Sequence, residues 1–109
     1  MKDRDLTFTP ATTLARLYRT RKVSPLEVVQ AVLARIAALN PRLNAYVTIA
    51  RESALEAARA ATAALKRRGA LPPLHGVPVS IKDLTETRGI RTTKGSRIYE
   101  HHVPDEDAL

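Results

Sequence analysis

The strongest structural signal in this sequence is an amphipathic helix that begins near residue 24. Ser24-Pro25-Leu26-Glu27 forms a capping box: the serine hydroxyl accepts from the N–H of Glu27, and the glutamate reaches back to the N–H of Ser24. Pro41 disfavours a helical conformation at Asn40, so the helix is predicted to end there. Apolar residues recur between these limits at intervals of three and four, namely Leu26, Val29, Leu33, Ile36 and Ala37.

Two more helices are predicted around this one. Residues 1–8 are expected to form a polar, frayed arm, after which Thr9-Pro10 starts a helix that ends near Lys22. Alanine-rich residues from Glu52 to Arg68 favour a third helix that stops at Gly69. Residues 9–69 are therefore expected to be mainly helical. The apolar face of the third helix comprises Leu55, Ala58, Thr62 and Leu65.

Two short stretches show the alternation that is typical of strands. β-Branched and aromatic residues alternate near 44–49, which predicts a short strand. In residues 74–83, Val77, Val79 and Ile81 share one face, and Pro78 would confine such a strand to an edge or a strand start. Residues 84–109 are predicted to be rich in turns and to end at a helix start, because acidic residues follow Pro104.

Length and composition exclude several classes of protein. A chain of 109 residues suits one small domain. No apolar run reaches the roughly 18 residues of a membrane span, and the charged start does not resemble an export signal. The absence of cysteine excludes disulfides, thiolate catalysis and cysteine zinc sites. The sequence therefore predicts a cytoplasmic protein without a membrane partner.

The net charge of +7 is scattered except in two clusters, Arg19-Thr20-Arg21-Lys22 and Lys66-Arg67-Arg68. Both clusters fall at predicted helix C-termini, where cations interact favourably with the helix dipole. A phosphate-binding patch is the alternative interpretation. Stacking aromatic residues, zinc spacings and glycine-rich phosphate loops are absent from the sequence, so nucleic acid is not the expected partner.

Lys82 is the candidate catalytic residue. It follows an apolar stretch, with Ser80 two residues earlier on the same predicted face and Asp83 next in sequence. Burial disfavours the charged form of a lysine, and a neutral lysine acts as a general base or activates a serine. The alternative is a solvated lysine at a strand end. A metal site at His101-His102 is not expected, because adjacent side chains do not converge on one ion, and His75 is expected to be structural.

The sequence around Lys82, LHGVPVSIKD (residues 74–83), resembles the stretch around the catalytic lysine of the amidase signature family. Further resemblance lies in the same order along the chain and covers residues 10 to 109. It is carried by VSPLE (23–27), ARI (34–36), LNP (39–41), LNAYV (43–47), GIRTTKGS (89–96) and PDEDA (104–108).

This resemblance implies an α/β fold, in which a central mixed sheet is covered by helices. Residues 1–109 would then be the N-terminal portion of a single amidase domain, with its first helices and strands. The implied activity is hydrolysis of a carboxamide to an acid and ammonia or an amine. The family uses a serine nucleophile, a second serine on a cis peptide, and a lysine, without a metal or another cofactor. The nucleophile forms an acyl-enzyme, and backbone N–H groups stabilise the oxyanion.

Only the lysine of that set has a counterpart here, which is Lys82. The two serines belong to a glycine- and serine-rich stretch that this sequence does not contain, so the 109 residues alone are expected to be inert. The serines of this sequence lie outside the positions of the two family serines. They are Ser24, Ser53, Ser80 and Ser96.

Two questions stay open at the level of sequence. The parent protein is either a stand-alone amidase acting on a small-molecule amide or the A subunit of a tRNA-dependent amidotransferase. A different class of function is a small, basic, non-catalytic interaction or nucleic-acid-binding module. In the amidase interpretation, the sheet edge would be covered by self-association or by the remainder of the chain.

Overall fold

The computed structural model describes residues 3–67 and 69–109, and four α-helices lie within them. The chain divides into two compact units. The first comprises the chain up to Leu43 together with Arg51–Pro78, and the second comprises Asn44–Ala50 with Val79–Leu109. The helices are α1 (Asp3–Thr7), α2 (Ala11–Arg19), α3 (Pro25–Leu43) and α4 (Arg51–Ala64), and a short 3-10 turn covers Arg97–Tyr99.

The predicted start of α3 is confirmed by its hydrogen bonds. The Ser24 hydroxyl accepts from the N–H of Glu27 at 3.1 Å, which is one half of the capping box. The N–H of Leu26, a second donor without a partner inside the helix, donates to the Thr62 hydroxyl of α4 at 3.1 Å. Thr62 in turn donates to the carbonyl of Ala58 at 2.8 Å. The start of α3 is therefore completed by a side chain from α4.

The predicted end of α3 at Asn40 is wrong, because the helix continues through Pro41 to Leu43. Pro41 lies in the last turn, where its ring removes one helical hydrogen bond close to an end that frays in any case. Asn44 then adopts a φ of +50°, the left-handed conformation with which asparagine ends helices.

The first unit has two apolar clusters that meet on α3, which packs against both α1 and α4. Val28 and Tyr18 are the most deeply buried, at 0% and 1% exposure. Because α3 contributes residues to both clusters, its burial holds the first unit together. One cluster contains Leu6, Leu14, Tyr18, Val23, Val28 and Ala31, and the other contains Val29, Leu33, Leu55 and Ala58.

Two predictions near the helix ends are corrected. Residues 1–8 were expected to be a frayed arm, whereas Asp3–Thr7 form α1 and Leu6 is buried in the core. Residues 1 and 2 lie outside the described part of the chain. The helix expected to reach Arg68 ends at Ala64, with turn hydrogen bonds at Leu65, Lys66 and Arg67, while Arg68 itself lies outside the described residues.

The expected α/β architecture with a central mixed sheet is wrong for this chain. The described residues contain no strand at 44–49 or at 74–83, and their sole β contact is an isolated bridge between Thr87 and Ile90. A strand exists only when a neighbour pairs with its N–H and C=O groups, and no described segment pairs with residues 79–82. The strands predicted from the alternation of apolar residues at 44–49 and 74–83 are therefore wrong for the described residues.

The second unit is held by turns and by backbone hydrogen bonds between distant residues. Backbone hydrogen bonds join Gly89 to Pro104 at 3.0 Å and Thr92 to His102 at 2.9 Å. The helix expected after Pro104 is absent from this described segment, where the Asp107 carboxylate accepts from the N–H of Arg88 at 2.7 Å. Within the described ranges, no helix has both the length and the apolar character needed to cross a membrane.

A Gly76→Ala substitution should destabilise the protein strongly. Gly76 has a φ of +77°, and an added Cβ would lie 2.6 Å from Pro25 Cγ and 3.3 Å from Tyr18 Cε2, which are both buried and cannot retreat. We expect a loss of about 2 to 4 kcal/mol from backbone strain and overpacking. Gly89→Ala is the control, since its φ is +76° with nothing within 4 Å, and it should cost about 1 kcal/mol. The free energy of unfolding of both variants is measured in urea. Equal losses in Gly76→Ala and Gly89→Ala would contradict the close packing of Gly76.

A Thr62→Val substitution tests the hydrogen bond between α4 and the start of α3. It leaves the N–H of Leu26 without an acceptor, so we expect the free energy of unfolding to fall by about 1 to 3 kcal/mol. Thr62→Ser, which keeps the hydroxyl, should retain most of the stability. Thr12→Val is the matched control, because Thr12 is an exposed residue of α2, and it should be close to neutral. An equal effect of Thr12→Val would show that the loss does not come from this hydrogen bond.

Candidate functional site

The second unit encloses a cavity of about 530 Å³ that contains the candidate lysine. Three chain segments form its wall, and they bring Ser80, Lys82 and Asp83 together with Arg91. The volume is within the range of small-molecule sites. The complete lining is Ala45, Tyr46, Val47, Thr48, Ser80, Ile81, Lys82, Asp83, Thr85, Thr87, Ile90, Arg91 and Thr92.

Lys82 lies on the wall of this cavity with an exposed side chain. It belongs to a segment without regular secondary structure in which Ser80 and Ile81 are also exposed. The carbonyl of Lys82 accepts from the N–H of Thr85 at 2.9 Å, which turns the chain immediately after the lysine. Within the described residues, the Lys82 side chain is therefore open to solvent.

Asp83 is the anchor of the loop that follows. Its Oδ1 accepts from the N–H of Thr93 at 2.8 Å, and its Oδ2 accepts from the Thr93 hydroxyl. The side-chain and backbone hydrogen bonds from Thr93 hold the pKa of Asp83 below its ordinary value, and the charge of Arg91 adds to the effect. Both carboxylate oxygens are thus directed to Thr93, and Asp83 forms no ion pair with Lys82 among the described side chains.

Arg91 is a cavity residue that the sequence analysis did not single out. Its Nε donates to the carbonyl of Glu100, and its Nη1 donates to the Thr48 hydroxyl at 3.3 Å. The guanidinium therefore joins residues 44–50 to the C-terminal part of the second unit. Arg91 and Thr48 are 43 residues apart, so no local sequence pattern indicates their contact. Only the resemblance in GIRTTKGS (89–96) could have drawn attention to Arg91.

A second polar cluster of this unit involves His102. The Glu86 carboxylate accepts from His102 Nε2 at 3.1 Å and from Lys94 Nζ at 3.2 Å. Both hydrogen bonds lower the pKa of Glu86, the one from His102 more strongly. His101 is exposed and points to Glu100 instead, so the two histidines serve different contacts. The described residues contain no group of three or more His, Cys, Asp or Glu side chains that could hold a metal.

The remaining candidates have structural contacts. His75 Nε2 lies 2.8 Å from the carbonyl of Ala61, which ties the loop after α4 to that helix. Ser24 caps α3, and Ser96 accepts from the N–H of Ile98 at the start of the 3-10 turn. Ser80 is the one serine that lines the cavity.

The Asp83 hydrogen bonds make the second unit sensitive to acid. Since folding lowers the pKa of Asp83, its stabilising effect is present above the unfolded pKa and is lost as the pH falls through the folded pKa. We expect the amide NMR signals of Thr93 and Gly95 to shift together between neutral pH and about pH 2. Asp83→Asn should remove this acid step. The exposed Asp105→Asn is the control, and loss of the step in that variant would contradict the assignment.

Comparison with known proteins places these features in a family. The sequence profile of the family described as Amidase matches residues 27–109. The chain is 49% identical over 87 residues to the A subunit of glutamyl-tRNA(Gln) amidotransferase from Geobacter sulfurreducens, which covers 80% of this chain and 18% of that protein. It is 44% identical over 104 residues to the corresponding protein of Acidothermus cellulolyticus, covering 95% of this chain and 21% of the relative.

The matched region includes the cavity residues from Ala45 onward and therefore Lys82. The chain spans about a fifth of the length of the curated relatives it matches. No solved structure gives a significant match. The family profile covers more than half of the sequence, including every residue that lines the cavity of Lys82. The chain therefore belongs to the amidase family.

Proposed function

We propose that this chain contributes the proton-handling lysine, Lys82, to an enzyme that cleaves a carboxamide C–N bond. The products are a carboxylic acid and ammonia or an amine. Residues 1–109 would be the N-terminal portion of one amidase domain in the cytoplasm. The observation that carries the proposal is the position of Lys82 on the wall of the 530 Å³ cavity, inside the region that matches the family.

The chemical role of Lys82 follows from the mechanism implied by the resemblance. As the serine oxygen attacks the amide carbon, its proton passes through the second serine to the neutral lysine amine. The same proton then goes to the leaving nitrogen, and water releases the acyl group. Both serines belong to a stretch that is absent from this sequence, so we expect the 109 residues alone to be catalytically inert.

The environment of Asp83 is compatible with this role. A free carboxylate next to Lys82 would favour the ammonium form, which cannot accept a proton. Thr93 engages both oxygens of Asp83, so the neighbouring carboxylate is not directed at the lysine. Burial of Lys82 by further protein or by the substrate would favour the neutral amine, because burial penalises the charged form.

The apolar residues beside Lys82 support the presence of such a cover. Val79 is 80% exposed and Ile81 is 54% exposed, on either side of Ser80. Exposed apolar side chains in a row mark a surface that contacts other protein. We propose that the remainder of an amidase domain, or a partner protein, covers this segment and forms the rest of the substrate pocket.

A second candidate is favoured by the names of the relatives. Several proteins of 39 to 49% identity are named as the A subunit of glutamyl-tRNA(Gln) amidotransferase. The chain would then act within an amidotransferase of several subunits, and the nitrogen released at the site of Lys82 would be transferred instead of lost. The stand-alone amidase and the amidotransferase share the same C–N cleavage, so Lys82 has the same role in both.

The role of Lys82 can be tested in a chimera. The matching segment of the Geobacter sulfurreducens relative is replaced by this chain, and ammonia release from simple aliphatic and aromatic amides is measured. We expect Lys82→Ala to lower kcat by about 10²- to 10⁴-fold, the range for loss of a general base. Lys82→Arg should not restore activity, since arginine stays protonated.

Arg97→Ala is the matched control, because Arg97 is an exposed cation of the same unit outside the cavity. It should leave the rate of the chimera unchanged. Activity within a few-fold of the parent chimera after Lys82→Ala would overturn the assignment. Amide hydrolysis by the 109 residues alone, lost on Lys82→Ala, would overturn the proposal that the nucleophile lies elsewhere.

A further inference from the structure

The two basic clusters of the sequence meet in the first unit. The Arg21 guanidinium donates from Nη2 to the carbonyl of Leu65 at 3.1 Å, which joins the end of α2 to the end of α4 across 44 positions of sequence. The ends of both helices therefore lie side by side. The surface formed by this contact, called the basic surface below, consists of the exposed side chains of Arg16, Arg19, Arg21, Lys22, Lys66 and Arg67.

No acidic residue belongs to the segments that form the basic surface. Aspartate and glutamate are absent from residues 6–26 and from residues 57–82. None of the six cations takes part in an ion pair within the described part of the chain. Six positive charges close to one another repel, so their joint presence costs stability unless an anion neutralises them.

A cavity of about 200 Å³ opens between the two helix ends. Arg19 from α2 and Arg67 from the turn after α4 both line it, and the rest of the wall includes Tyr18, Leu65, Leu71, Pro72, Pro73 and His75. Its volume equals several water molecules of about 30 Å³ each, which is enough for a phosphate group. The Tyr18 hydroxyl is buried and has no hydrogen-bond partner among the described atoms.

We propose that the basic surface binds the phosphate backbone of a double-helical nucleic acid, with one phosphate between Arg19 and Arg67. Four of the six cations are arginines, whose planar fork binds two oxygens of a phosphate. The exposed residues of 11–22 and 65–67 include no large apolar side chain, and on the cavity wall the described residues add one, Leu71, at 39% exposure. A protein partner would require an apolar centre in the interface, whereas a phosphate backbone does not.

The same surface excludes recognition of bases. Single-stranded nucleic acids are bound by stacking on exposed aromatic rings. Residues 11–22 and 65–67 contain one such ring, that of Tyr18, and it is buried. Binding is therefore sequence-independent and electrostatic. The motif-based expectation against nucleic acid rested on missing base-reading elements, which backbone binding does not need.

The test is fluorescence anisotropy of labelled RNA and DNA duplexes titrated with this chain at several salt concentrations. We expect micromolar binding at low salt and a slope of log K against log salt of about −3 to −5, for three to five phosphate contacts. Arg19→Gln/Arg67→Gln should reduce the slope by about two and weaken binding roughly tenfold. Arg19→Lys/Arg67→Lys should restore the slope.

Arg42→Gln/Arg51→Gln is the control with the same loss of net charge. Both arginines are exposed, and Arg51 lies at the opposite end of α4, about 20 Å from Leu65 at 1.5 Å per residue. If this control weakens duplex binding as much as Arg19→Gln/Arg67→Gln does, the effect comes from net charge alone and the proposal is overturned. Displacement of the duplex by polyglutamate as effective as by unlabelled duplex, or by millimolar inorganic phosphate, would also overturn it. Circular dichroism confirms that each variant is folded.

Discussion

The first turn of α3 is the point on which the first unit depends. Pro25 has no N–H to satisfy, Leu26 donates to Thr62, and Glu27 donates to Ser24, so each early donor of the helix is accounted for. The proline ring is buried against Gly76, whose missing side chain gives it room. One helix start thus links α4 and the loop after α4 to α3, and the two apolar clusters form on either side of that link.

The helices could be predicted from sequence because their causes are local. A capping serine and an apolar stripe act within a few residues, and they gave the start of α3 correctly. The end at Asn40 was missed because a proline in the last turn removes only one helical hydrogen bond, close to an end that frays in any case. The strands could not be predicted in the same way, since a strand is a relation between two segments, and residues 79–82 find no partner among those described.

The candidate site shows the same division between local and distant causes. Lys82 was identified by resemblance, because its spacing from one glycine and one proline is a sequence property. Thr93 and Arg91 were not, because what they do depends on Asp83 ten residues away and on Thr48 at a separation of 43. These contacts direct the Asp83 carboxylate to Thr93, and no ion pair joins it to Lys82 among the described side chains. The hydrogen-bond partners of the residue next to Lys82 thus lie outside the motif that identified the lysine.

The two basic clusters at the ends of α2 and α4 also depend on a contact between distant residues. Taken one at a time, each is explained by the dipole of the helix that it ends, an interaction of about 0.3 to 1 kcal/mol per cation in the last turn. The helix-dipole explanation requires only a few cations in each last turn, and it does not require the two clusters to be in contact. The Arg21–Leu65 hydrogen bond brings six cations together without one ion pair among the described side chains, so repulsion opposes part of the dipole stabilisation. An arrangement that costs stability when unoccupied is better explained by a polyanion that neutralises it than by helix ends alone.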